Sequence, residues 1–165
     1  MKKLLLLGLL VFIMGCAQQP LSQPVSSTYE SAEFGFSMDY PEDWIVAEAP
    51  EVGVSFLGPY DYLANIVVSV EEFSGTLDEY WDMESERLDR SEIMIGTTYT
   101  DSLIVVNGKD SIKLDLEYTL GENVDSEVYY FVDGTYVYSI VYQTYEGYFD
   151  EHYNEFEESL ATFSF

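Results

Sequence analysis

The stretch VNGKDSIKLDLEY, residues 106–118, decides how this chain folds. Ile112, Leu114, Leu116 and Tyr118 alternate with Lys113, Asp115 and Glu117, and Leu120 extends the apolar set. Successive side chains of a strand point to opposite faces, so this alternation describes a strand with one face in a core and the other in water. Asn107-Gly108 stands just ahead of it. Both residue types accept the left-handed backbone of a two-residue hairpin turn, which pairs the strand with SLIVV, residues 102–106.

Working outward, residues 127–132 and 135–143 flank Asp133-Gly134 and predict a second hairpin. TYVYSIVYQ, residues 135–143, is apolar on both faces, as a central strand covered above and below must be; NIVVSV, residues 65–70, has the same character. Two helices complete the set. Thr76 and Glu79 form a capping box that opens a helix running to about Arg90, with Leu77, Tyr80, Trp81 and Leu88 on one face and acids on the other. A second helix over residues 148–161 lines up Phe149, His152, Tyr153, Phe156 and Leu160, with Asp150, Glu151, Glu155, Glu157 and Glu158 elsewhere. The expected class is α+β, an antiparallel β-sheet flanked by helices.

The N-terminus carries Lys2 and Lys3, an apolar run over residues 4–13 and the small Gly15, the three parts of an export signal. The run is shorter than the roughly 20 apolar residues that cross a bilayer. Ile13-Met14-Gly15-Cys16 resembles the lipobox of prokaryotic lipoproteins. The resemblance implies that Cys16, the only cysteine, is acylated and becomes the first residue of the mature chain. Two acyl chains hold a protein on a membrane where one binds only marginally. AQQPLSQPVSST, which follows, is rich in Gln, Ser and Pro, poor in core-forming residues, and reads as a flexible tether of roughly 20 Å. The expected organisation is therefore a signal peptide over residues 1–15, a lipidated cysteine and tether over 16–28, and one domain over 29–165, anchored on the extracytoplasmic face of the cell membrane.

The charge is lopsided. All 31 acidic residues lie beyond the signal, where only four of the six basic ones remain, so the chain from Cys16 onward stands at −27. Such a field repels phosphate backbones and excludes nucleic acid as a partner, while favouring cations and basic proteins. Much of it reads simply as a solvated coat that keeps the protein soluble.

Four motifs occur in order: GFSMDYPEDW (35–44), TLDEYWDMESERL (76–88), VNGKDSIKLDLEY (106–118) and FEESLATFSF (156–165). Together they resemble the PsbP-like and DcrB-like group. The local physics agrees: Gly35 permits a tight turn, Pro41 stops a strand, and Trp44 can fold back as a core plug. The resemblance implies an α/β/α sandwich, and mostly non-enzymatic proteins that assist or bind larger assemblies. It carries no metal or partner residue over to a position in this chain.

The residues offer little for catalysis. His152 is the only histidine, which removes two-histidine metal motifs and makes any Ser-His-Asp triad depend on one ring. Neither a G-x-S-x-G elbow nor a phosphate loop is present. On an aromatic stripe, His152 reads as packed. For cations, GENVDSE sets Glu122, Asn123, Asp125 and Glu127 in an expected loop whose oxygens suit calcium, although the central glycine and terminal glutamate of an EF-hand are missing. Asp39, Glu42 and Asp43 form a second acidic turn. Both clusters also read as ordinary solvated turns. Tyr129, Tyr130, Phe131, Tyr136, Tyr138, Tyr142, Tyr145 and Tyr148 form either core packing on a two-sided sheet or an exposed platform.

The sequence thus predicts a lipid-anchored, extracytoplasmic, non-enzymatic domain that binds or supports an unknown protein partner at the cell surface. Second comes a low-affinity calcium binder using Glu122, Asp125 and Glu127, the one reading that involves a cofactor. An acidic hydrolase is third.

Overall fold

The computed structural model describes residues 25–49, 52–58, 63–90 and 98–165. Cys16, the signal and most of the expected tether lie outside the described residues. β1 (Val25–Ser31) and β2 (Phe36–Pro41) form an antiparallel ribbon. β3 (Ile45–Ala49), β4 (Gly53–Leu57), β5 (Asn65–Glu72), β6 (Thr98–Val106), β7 (Lys109–Leu120), β8 (Glu122–Val132) and β9 (Tyr136–Tyr145) build one antiparallel sheet. Its order is β3-β4-β5-β9-β8-β7-β6. α1 (Leu77–Arg90) lies between β5 and β6, and α2 (Tyr153–Thr162) follows β9.

The alternation that opened the sequence reading sets the layers. Ile112 and Leu114 of β7 join Val128 and Tyr130 of β8, Val137 of β9 and Tyr80 of α1 in one core, so α1 covers this face. The opposite face carries Val54, Phe56, Ile66, Val68, Tyr129, Phe131, Tyr138, Ile140 and Tyr142, covered by Phe36 and Met38 of the ribbon and by Phe156 and Leu160 of α2. β9 sits at the centre, fourth of seven strands, which is why its residues are apolar on both faces. The result is an α+β sandwich of α1, sheet, and ribbon with α2.

Several local expectations hold at the level of atoms. Asn107 and Gly108 have φ of 53° and 77°, and Val106 pairs with Lys109 across the turn. The Thr76 N–H donates to Glu79 Oε2 at 2.9 Å while the Glu79 N–H donates to Thr76 Oγ1 at 3.3 Å, closing the capping box. The Trp44 backbone N–H donates to the Pro41 carbonyl at 3.0 Å, closing the turn, and the Trp44 side chain is buried in the core.

Others need correction. The tether does not reach residue 28, because β1 begins at Val25 and pairs with β2 through Thr28, whose hydroxyl donates to Asp39 at 2.6 Å. In the second hairpin Val132 pairs with Val137, which shifts the turn by one residue and leaves Gly134 with positive φ at its first central position. Asp133 instead accepts the Thr135 and Tyr136 N–H groups, both at 2.8 Å. The second helix starts later than expected: Phe149–Glu151 is a single 3₁₀ turn and His152 is the cap ahead of α2. GENVDSE is not a loop, since Gly121, φ 80°, makes the turn alone and Leu120 pairs with Glu122. The polar segment becomes a strand because β7 and β9 satisfy its backbone on both sides. Finally, the supposed acidic face of α1 includes Glu84, which is buried.

Candidate functional site

The β7–β8 register decides where the acids meet. Glu117 stands opposite Asp125 and Asp115 opposite Glu127, all four on the α2 side of the sheet. Like charges placed directly across a ladder repel, so each pair must be neutralised or remain under strain. The two pairs differ. Lys113 reaches Glu127 Oε1 at 2.7 Å and Asp115 Oδ1 at 3.2 Å, bridging the second pair. Glu127 also accepts the Tyr129 hydroxyl at 3.0 Å and the Tyr153 hydroxyl at 3.0 Å, so this buried carboxylate ties β7, β8 and α2 together. Burial, then the charge of Glu127, pushes the Tyr153 phenol up to about 12. Burial works against the charge of Lys113, but Glu127 and Asp115 together outweigh it and raise the ammonium pKa.

The first pair has no such cation beside it; the Thr98 hydroxyl donates to Glu117 Oε2 at 3.2 Å. Among the described residues no ion pair involves Glu117 or Asp125. Burial first, then Glu117 and Glu146, raise the Asp125 pKa. The four basic residues beyond the signal are engaged elsewhere. Lys113 is held by Glu127, Arg87 by Glu84 at 2.8 Å, Arg90 by Glu86 at 2.8 Å, and Lys109 by the Phe165 carbonyl and ring.

These acids line an open groove of about 460 Å³ bounded by Thr98 and Thr100 of β6, Asp115 and Glu117 of β7, Asp125 and Glu127 of β8, and Phe149 and Asp150 after β9. Beyond it runs the outer edge of β6, nine residues long, with no strand on its far side among the described residues. On the α1 side of that edge, Leu103 and Val105 are 67% and 66% exposed. The β6–β7 wing thus presents carboxylates on the α2 face, exposed Leu103 and Val105 beside Asp101 and Asp110 on the α1 face, and, among the described residues, an unpaired backbone edge between them.

The acids expected to bind calcium are split. Asp125 and Glu127 share a face of β8, whereas the alternation places Glu122 on the opposite one. Among the described residues no group of three or more His, Cys, Asp or Glu side chains is placed to hold a metal. Asp39 lies on β2 and binds Thr28, apart from the turn of Glu42 and Asp43. His152 meets Trp44 edge-on, ring centroids 6.0 Å apart, with Nδ1 3.6 Å from Glu155. Tyr129, Tyr130, Phe131, Tyr138 and Tyr142 are core residues, not a platform. Sequence reasoning missed Thr98, Thr100, Asp115 and Glu117. The signal was there, since acids two residues apart on either side of Gly121 meet on one face once that glycine makes a tight turn.

Among the described residues, no helix is long and apolar enough to cross a membrane. No family model matches the chain, and no curated protein matches its sequence. Solved structures do match in fold. The solution structure of the cyanobacterial PsbP protein CyanoP from Synechocystis is similar at 16% identity and TM-score 0.63, over 84% of this chain and 91% of that one. A crystal structure from Bacteroides thetaiotaomicron is similar at 20% identity and TM-score 0.61 over 86% of this chain, which spans about half, 48%, of that protein. LpqN, involved in cell envelope biogenesis of Mycobacterium tuberculosis, is similar at 14% identity and TM-score 0.52, over 82% of this chain and 86% of that one. The resemblance carried by the four sequence motifs is therefore matched in three dimensions: this chain has the PsbP-like fold.

Proposed function

We propose that this protein is a lipid-anchored, extracytoplasmic, non-enzymatic accessory domain that binds a protein partner at the membrane surface. The observation that carries the reading is the β6–β7 wing, a nine-residue sheet edge uncovered among the described residues, with acids on its α2 face and exposed Leu103 and Val105 on its α1 face. Unpaired strand edges and exposed apolar side chains are what protein partners recognise. The anchor is supported by the Ile13-Met14-Gly15-Cys16 motif, and an envelope setting by the likeness to LpqN. The open groove has carboxylates but no histidine lining it, which suits docking better than acid–base chemistry at neutral pH.

Native electrophoresis of the full chain, extracted from its own membranes in mild detergent, tests this. A discrete complex of fixed composition is expected. Migration as a monomer in every mild detergent, including after cross-linking in intact cells, would overturn the partner reading.

A further inference from the structure

We infer that the partner contributes an extended, basic segment that adds to β6 as an eighth strand, with basic side chains on the α2 face and apolar ones on the α1 face. This rests on the partner reading above and names its surface and chemistry. Natural sheets blunt their edges by shortness, charge, proline or bulges. The opposite edge, β3, follows that practice: it has five residues, and its Glu48 accepts the Tyr29 hydroxyl at 3.2 Å. β6 has a single such device, the exposed Asp101 at mid-strand; it is otherwise nine residues long, without proline or lysine, and its register with β7 is unbroken from Thr98 to Val106.

Charge chooses the occupant. On the α2 face the ladder positions Thr98 and Thr100 sit beside Glu117 and Asp115, with Asp125 behind, and no ion pair reaches Glu117 or Asp125 among the described residues. A strand added there sets its side chains beside Thr98 and Thr100, one strand spacing of about 4.8 Å outside those positions, so that only long basic side chains reach inward across β6 to the acids of β7. On the α1 face, Leu103 and Val105 call for apolar partners, and Asp101 between Tyr99 and Leu103 for a polar one. An antiparallel newcomer therefore reads apolar against Val105 and Leu103, then basic against Thr100 and Thr98. Strand addition draws affinity from backbone hydrogen bonds and specificity from alternate side chains, and this edge offers both. A second copy fits poorly, because it brings another chain of charge −27 against the same acids.

The probe is a capped peptide, Val-Thr-Val-Thr-Thr-Arg-Val-Arg, which matches Val105 to Thr98 in antiparallel register. Binding to the full chain in detergent micelles is read by anisotropy and by deuterium uptake over residues 98–106. Reduced uptake there is expected, with affinity lowered at least about tenfold by Leu103→Lys combined with Glu117→Lys, both at exposed positions. N-methylation of one alternate set of peptide amides should abolish binding, and methylation of the other set should spare it. The proposal is overturned if the peptide leaves β6 uptake unchanged or if both methylated peptides bind alike. It is also overturned if β6 is already protected without peptide, whether by a second copy, seen as concentration dependence, or by the chain's own residues 1–24. A native complex that survives the double variant leaves the partner reading standing and rejects this surface. Absence of any native complex rejects the partner reading, while the peptide result judges the surface by itself.

Discussion

Lys113 of β7 lies 2.7 Å from Glu127 of β8, and this one contact turns a repulsive cross-strand pair of acids into a joint between three elements. Without it, Glu127 would be a buried carboxylate held, among the described residues, by the hydroxyls of Tyr129 and Tyr153. Lys113→Met should cost about 1–3 kcal/mol, the range for losing a charged hydrogen-bond partner. Adding Glu127→Gln should recover much of that loss, because the remaining acceptor no longer carries charge. Urea unfolding of the three proteins checks both statements. The sign with pH follows from the raised lysine pKa. The stabilisation is complete below the unfolded lysine value of about 10.4 and is lost as pH rises through the folded one.

Asp125 behaves in the opposite way. Its pKa is raised by burial and then by Glu117 and Glu146, so the folded state holds its proton more tightly than the unfolded chain does. The ionised group therefore destabilises the fold at neutral pH, and the penalty fades as pH falls through the folded pKa. Asp125→Asn should stabilise the protein by about 0.5–1 kcal/mol at pH 7, on the scale of a cross-strand charge pair. Near pH 3 the variant should gain nothing. Melting curves of both proteins across this range decide the matter.

The same crowding extends to the whole surface. At a net charge of −27, added salt should raise the melting temperature by screening, as the Debye length falls from about 10 Å at 0.1 M to about 3 Å at 1 M. Sodium, magnesium and calcium chlorides at matched ionic strength should act alike. A large calcium-only shift, abolished by Asp125→Asn with Glu127→Gln, would instead make the cation reading the better one.

Cys16→Ser should leave the protein without its lipid. Detergent phase partitioning is the measurement: wild type in the detergent phase and the variant in the aqueous phase are expected. Wild type in the aqueous phase would dismiss the anchor.

Much of the sandwich was legible because its clearest elements announce themselves locally. The alternation from Ile112 to Tyr118, the Asn107-Gly108 turn and the Thr76–Glu79 capping box each need only near neighbours to be read. What escaped depends on contacts distant in sequence. Residues 122–126 look like a loop until β7 and β9 are placed beside them, and then Val124 and Ser126 are buried. Glu84 looked like a surface acid of α1, yet it accepts from Arg87 at 2.9 Å and from the Tyr130 hydroxyl at 3.3 Å. Burial raises its pKa despite the opposing pull of Arg87. The groove was missed for the same reason: Glu117 and Asp125 meet only once the Gly121 turn fixes the register.

The wing itself can be interrogated in living cells. A photo-crosslinking residue replaces Ser102, exposed on the β6 edge, and in a second strain replaces Ala47, exposed on the β3 edge. Illumination of intact cells should join Ser102 to one discrete membrane or envelope protein, with little product from Ala47. Equal yields from both edges, or no protein adduct from Ser102, would contradict docking at this wing.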